Sequence, residues 1–160
     1  MKIIHKRRLK PDSWTRLSLH DAPSTGASVI VDLDTLNKDP ETWIDWDGAW
    51  GLSVSGETAF DALDQWLGRI RLLEIRIPKF TDGRGYSLAK RVRRSGYEGE
   101  LRAAGDILQD QLAYLERCGF DSFSSETIEL TEDMLVAFDE ISRPYQASAS
   151  DPDASWRRFG

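Results

Sequence analysis

Along this chain the apolar positions change their period in a regular way. From about residue 50 onward, short unbroken apolar runs alternate with stripes spaced three and four apart. The first kind of pattern predicts a buried strand and the second an amphipathic helix. Residues 51–54 read as a strand, and 57–67 as a helix whose stripe is Ala59, Leu63, Trp66, Leu67 and Ile70. Residues 72–77 form the next strand and 86–94 the next helix, with Gly96 placed to close it. A strand at 100–104 precedes a helix at 106–118, in which Asp106 and Gln109 suit a capping box and Leu108, Leu112 and Leu115 face inward. Residues 120–124 make a further short strand, and Thr131 caps a last helix carrying Leu135, Phe138 and Ile141.

Upstream the pattern is broken. Ile3 and Ile4 suit an edge strand, but Pro11, Asp12, Pro23 and Gly26 punctuate the rest of the first twenty-six residues. The β-branched run at 27–33 predicts a strand. Asp39-Pro40 predicts a helix start, with Trp43 and Trp46 on one helical face and Gly48 separating them from Trp50. Strands alternating with helices imply right-handed crossovers and neighbouring parallel strands. The expected fold is therefore α/β: a mostly parallel sheet built from successive βα units, either open or half-barrel-like, with a less regular N-terminal region. Residues 1–143 are expected to form one α/β domain, within which 1–49 are less regular, and 144–160 a flexible C-terminal tail. Periodicity leaves open whether 1–49 complete the same sheet.

Composition narrows the function classes. The 160 residues are 40% hydrophobic and 30% charged, a globular balance, and carry a net charge of −6. A nucleic-acid binder needs a positive field, so nucleic acid is not an expected partner. No apolar run approaches the roughly 20 residues of a membrane span, and the basic N-terminus lacks an apolar signal core, so a cytoplasmic protein without a membrane partner is expected. One cysteine, Cys118, cannot build an iron–sulfur or cysteine-rich zinc site. The two histidines, His5 and His20, have no metal-ligand spacing, so no metal is expected, and no cofactor motif is evident.

The chemistry-bearing stretch is 75–87, where a strand empties into a Pro-broken loop holding Lys79, Asp82 and Arg84, and two glycines lead into a helix. Strand-to-helix junctions of this kind carry the ligand sites of open α/β sheets and barrels. Gly83-Arg84-Gly85 opens that helix, where free amides favour an anion and glycines allow close approach. Arg84 offers a planar fork and Lys79 a point charge. Tyr86 and Ser87 add hydrogen-bond donors, Asp106 a carboxylate at the next strand end, and Arg102 a cation within that strand. The structural alternative has Asp82-Gly83 as a capped turn, Arg84 solvated, Tyr86 packed at the core edge, Asp106 as a helix cap and Arg102 paired with a nearby carboxylate. Neither reading is excluded by spacing. The run Lys90-Arg91-Val92-Arg93-Arg94 lies on an exposed helix face, either simply solvated or a contact for an acidic protein or a second copy of the chain. At the C-terminus Trp156, Arg157, Arg158 and Phe159 combine interface-favoured residue types and form a candidate partner contact.

Phe80-Thr81-Asp82-Gly83-Arg84-Gly85-Tyr86-Ser87, Gly99-Glu100-Leu101-Arg102-Ala103-Ala104-Gly105-Asp106, Asp110-Gln111-Leu112 and Arg117-Cys118-Gly119-Phe120-Asp121 occur in that order. Together they resemble a bacterial family of unknown function. Its members are labelled oxidoreductases of sulfite reduction and are typically encoded beside assimilatory sulfite reductase genes. The resemblance implies an accessory or redox-associated component of assimilatory sulfite reduction, partnered by sulfite reductase or its electron donor. It identifies no catalytic residues, and no redox motif accompanies the oxidoreductase label. A small-oxyanion-binding enzyme or sensor using the loop at 79–87 is the competing expectation.

Overall fold

A computed structural model of the chain describes residues 1–17, 26–78 and 83–142, with the side chains of 140–142 excepted. Among them eight strands form one sheet: β1 (Lys2–His5), β2 (Arg8–Pro11), β3 (Thr15–Arg16), β4 (Val29–Asp32), β5 (Trp50–Ser55), β6 (Leu72–Ile77), β7 (Glu100–Gly105) and β8 (Ser122–Ser125). Their order across the sheet is β2-β1-β8-β7-β6-β5-β4-β3. From β3 to β8 every neighbouring pair is parallel, while β1 pairs antiparallel with both β2 and β8. The fold is the expected α/β half-barrel with interleaved helices, and strands from the irregular N-terminal region belong to the same sheet.

One connection dictates its shape. Strands β2 and β3 are consecutive in sequence yet lie at opposite edges, joined by residues 12–14 alone. A flat eight-stranded sheet would hold its edges about 34 Å apart at roughly 4.8 Å per strand. The four Cα steps from Pro11 to Thr15 reach at most about 14 Å. The sheet must curl until Pro11 and Thr15 come within that reach, which gives it a convex and a concave face.

The convex face is apolar and carries the helices. Leu52 and Val54, Leu73, Ile75 and Ile77, Leu101 and Ala103, and Phe123 occupy alternate strand positions and are all buried. Helices α3 (Phe60–Asp64), α4 (Arg84–Arg94), α5 (Leu112–Cys118) and α6 (Val136–Ser142) join them in one core through Leu63, Leu88, Val92, Leu112, Leu115 and Phe138. Each large apolar side chain contributes about 1.5–3 kcal/mol when withdrawn from water. Two short helices, α1 (Leu33–Lys38) and α2 (Pro40–Ile44), come after β4.

Local chemistry explains where elements depart from expectation. The strand holding Ile3 and Ile4 is not an edge: β1 lies between β2 and β8, and both isoleucines are buried. The helix expected at 57–67 starts only at Phe60. A turn forms first, in which Ser55 Oγ accepts from the Glu57 amide and the Thr58 amide donates to the Ser55 carbonyl. The helix expected from Asp106 begins as a 3-10 turn at Gln109–Gln111. The Asp106 amide instead donates to the Ile77 carbonyl beside β7, and the capping partner is Gln111, whose Oε1 accepts from the Leu108 amide at 3.0 Å. Leu108 consequently points outward, while Ile107 is buried. Trp46 lies beyond the end of α2, so the Trp43, Trp46 and Trp50 rings meet through tertiary packing, at centroid separations of 5.4 and 5.9 Å from Trp43.

The basic run on α4 is partly structural. Arg93 Nε donates to the Gly119 carbonyl and its Nη1 to the carbonyls of Tyr97 and Gly99, which fixes the end of α4 to the turns before β7 and β8. Arg91 lies over the Phe60 ring at 4.6 Å. Burial raises the Tyr97 phenol above its ordinary value of 10.0, although Arg93 acts in the opposite sense. A raised phenol pKa means that, as pH rises past 10, the unfolded chain releases this proton before the folded chain does. Stability should then fall by up to about 1.4 kcal/mol per pH unit from this group. Chemical denaturation of the native protein and Tyr97→Phe from pH 9 to 11.5 should show that slope in the native protein and a shallower one in the variant.

Candidate functional site

The concave face is apolar at its base, where Ile30 and Leu72 are buried, and polar above it, and the strand registers stack it in rows. Ser53, Glu74, Arg102 and Ser122 lie side by side on β5, β6, β7 and β8, and Ser55, Arg76, Ala104 and Ser124 form the next row toward the C-terminal strand ends. Glu74 and Arg102 are both fully buried. Such charges persist in an interior only when paired.

Both are paired by the N-terminal segment. Arg16 of β3 places its two terminal nitrogens on the two oxygens of Glu74, one at 2.6 Å, and Ser53 Oγ donates to the same carboxylate at 2.8 Å. These hydrogen bonds raise the Arg16 pKa above its ordinary value against the opposing effect of burial, so the guanidinium stays charged. Arg102 donates to both oxygens of Asp12 at 3.2 and 3.4 Å and to Glu100 at 3.0 Å. Ser122 Oγ accepts from Arg102 Nε at 3.2 Å and donates to Glu100 at 2.7 Å. Arg76 completes the network: it is paired with Glu126 and lies 3.8 Å from Glu74.

The residues singled out from sequence divide between this interior and the rim. Arg102 is not at the loops but inside, held by carboxylates. Asp106 lies just past β7, where its Oδ1 accepts from Thr127 Oγ1 at 3.1 Å. Gly83 is the N-cap of α4 and Arg84 its first residue, with Arg84 Nη1 donating to Glu57 Oε1 at 2.9 Å on the surface. Gly85 and Tyr86 are buried and Ser87 is exposed. The Tyr86 ring packs edge-on against Tyr114 at 5.4 Å. Lys79 and Asp82 lie outside the described residues, as do Trp156, Arg157, Arg158 and Phe159. The structure thus brings Gly83–Ser87 and Asp106 to the C-terminal rim of the sheet and separates Arg102 from them.

The sequence reading missed Asp12, Arg16, Glu74, Arg76 and Glu126. A signal was present: Glu74 and Arg76 alternate with Leu73, Ile75 and Ile77, the period of a strand with one apolar and one polar face. Their partners are 58 and 50 residues away for Arg16–Glu74 and Arg76–Glu126, beyond the reach of local pattern.

The glycines at the rim have a packing role. A Cβ on Gly56, after β5, would stand 2.6 Å from the Gly85 amide nitrogen, and one on Gly85 would press on Ile77 and Ile75 at 3.2 and 3.4 Å. Gly83 faces open space at φ −77°. Gly56 therefore permits the close approach of the β5 turn to the start of α4, and the second glycine of Gly83-Arg84-Gly85 lets that start pack onto Ile75 and Ile77 of β6.

The chain matches, over residues 51–156, the family described as bacterial protein of unknown function (DUF934). It belongs to that family. The match spans β5 to β8, their connecting helices and the rim glycines, whereas Asp12 and Arg16 lie before it. No curated protein matches the chain. Among the described residues, no helix is long and apolar enough to cross a membrane, and no group of three or more His, Cys, Asp or Glu side chains is placed to hold a metal ion.

Gly56→Ala should lower stability by about 1–3 kcal/mol, the range for overpacking, because it meets backbone that cannot rotate away. Gly83→Ala should be neutral or stabilising by about 0.4–1 kcal/mol through loss of unfolded-state freedom. Urea unfolding of the two variants beside the native protein checks both; equal losses would contradict the packing role.

Proposed function

We propose that this protein serves assimilatory sulfite reduction as an accessory component, acting by binding sulfite reductase or the protein that delivers electrons to it. The observation that carries this reading is the use already made of the two buried charged groups on the concave face, Glu74 and Arg102. Glu74 is satisfied by Arg16 and Ser53, and Arg102 by Asp12, Glu100 and Ser122. Groups committed to holding strands together support a scaffold that presents a surface more than a centre that transforms a substrate. The four sequence blocks between Phe80 and Asp121 fall within the family match, and their resemblance to proteins encoded beside sulfite reductase genes supplies the pathway. A single cysteine and the lack of a dinucleotide glycine pattern leave the electron-carrying groups to the partner. The contact is assigned to Trp156, Arg157, Arg158 and Phe159, because Trp and Arg are favoured interface anchors.

Affinity purification of the tagged full chain from cells grown on sulfate tests the proposal. Sulfite reductase or its electron donor should co-purify near stoichiometrically, and removal of residues 144–160 should abolish the capture. A protein recovered alone, or one that itself carries a flavin, would contradict it. Capture undiminished by the truncation would remove the tail from the interface.

A further inference from the structure

The row of the concave face nearest the C-terminal strand ends has an uneven construction. Ser55, Arg76, Ala104 and Ser124 stand next to one another across four parallel strands, and Arg76 is the only large side chain among them. It is also the one charged side chain of that row, and its guanidinium meets Glu126 and Glu74. The C-terminal end of a parallel sheet is where such folds accept ligands. Arg76 is 41% exposed, unlike the fully buried Glu74 beneath it.

The charges around Arg76 leave it available. Arg16 already neutralises Glu74 through a two-pronged contact, so Arg76, at 3.8 Å from the same carboxylate, is a second cation beside one buried anion. What neutralises it is Glu126, from the segment after β8, a carboxylate that is 49% exposed. An ion pair between two half-exposed side chains is worth about 0–1 kcal/mol, little enough for another anion to displace. Glu126 has room to turn away, since it also borders an open recess of ≈ 500 Å³ lined by Met1, Lys2 and residues 125–130, which Arg76 does not line. The loop backbone does not have to move, since the Glu126 amide is anchored on the Gly105 carbonyl at 2.8 Å.

We propose that Arg76 is the anchor of a binding site for a small tetrahedral oxyanion at the mouth of the half-barrel, and that Glu126 is an internal carboxylate which the ligand displaces. The Arg76 fork offers two parallel donors to such an anion, with the exposed Ser55 beside it in the same row. Arg16 and Glu74 hold the floor of the site fixed in both states. This site is separate from the helix start at Gly83-Arg84-Gly85, and it does not depend on binding to sulfite reductase or its electron donor.

Calorimetric titration of the full chain with sulfate, and separately with phosphate, at low ionic strength tests it. The native protein should bind at least one of the two saturably. Glu126→Gln removes the competing carboxylate and should tighten binding by up to about fivefold, the equivalent of a surface ion pair. Arg76→Gln should weaken binding by about tenfold or more, the equivalent of a charged hydrogen bond. Thermal melts establish that both variants fold, which their exposed positions favour. Absence of saturable binding in both the native protein and Glu126→Gln would overturn the proposal. So would binding that survives Arg76→Gln and is lost in Arg84→Ala, since that result puts the anion at the start of α4. A preference for sulfate over phosphate, or the reverse, in the Arg76-dependent binding would support the site and identify which oxyanion the row fits.

Discussion

The constraint on which the architecture rests is the link of residues 12–14. Because it spans the two edges of an eight-stranded sheet, curvature is a requirement of chain connectivity here. Curvature in turn creates an interior, and the interior of this half-barrel buries two charged side chains, Glu74 and Arg102. The residues in and beside the link resolve that difficulty. Asp12 reaches Arg102 on β7 and Arg16 reaches Glu74 on β6, so the segment that forces the sheet to curl also supplies the counter-charges that make the curled state tolerable. Removing one partner of such a buried pair leaves an uncompensated charge, which costs far more than the pair contributes over an apolar replacement.

The two faces of the sheet divide the labour. The convex face obeys ordinary hydrophobic burial and holds the helices. On the concave side, exposure rises toward the C-terminal strand ends, from the sealed row of Glu74 and Arg102 to the half-exposed pair of Arg76 and Glu126. The rim is shaped by close backbone contact between Gly56 and Gly85, which brings the start of α4 against the β5 turn. Asp106, joined to Thr127, ties the loops after β7 and β8 together on the same rim. A rigid floor beneath an exchangeable surface pair is a suitable basis for ligand or partner recognition.

The parts of this fold that were legible in the sequence are those governed by local periodicity. Strand β6 occupies 72–77 as its apolar positions predict, α4 covers the predicted 86–94 and starts two residues earlier, and Gly96 and Gly119 end their helices with positive φ. Boundaries failed where side chains or neighbouring strands captured backbone groups, as Ser55 does for Glu57 and Ile77 for Asp106. The candidate site was legible only in its local half. Gly83–Ser87 and Asp106 announce themselves as a strand-to-helix junction and a strand end. The concave network does not, because Asp12 and Arg102 are 90 residues apart and meet only once the sheet has curled. The N-terminal region was unreadable for the same reason: β3 is two residues long and owes its place to pairing with β4 and to Arg16, not to its own pattern.

The most direct test of this account is a double-mutant cycle across the curl. Asp12→Ala, Arg102→Met and the double variant would be compared with the native protein by urea unfolding at one pH and ionic strength. If the link residue and the central strand form one compensated buried unit, the coupling energy should exceed about 2 kcal/mol, with Arg102→Met less damaging once Asp12 is also gone. Additivity within about 0.5 kcal/mol would contradict it, reducing Asp12–Arg102 to an incidental contact and leaving the curl to the length of the link alone.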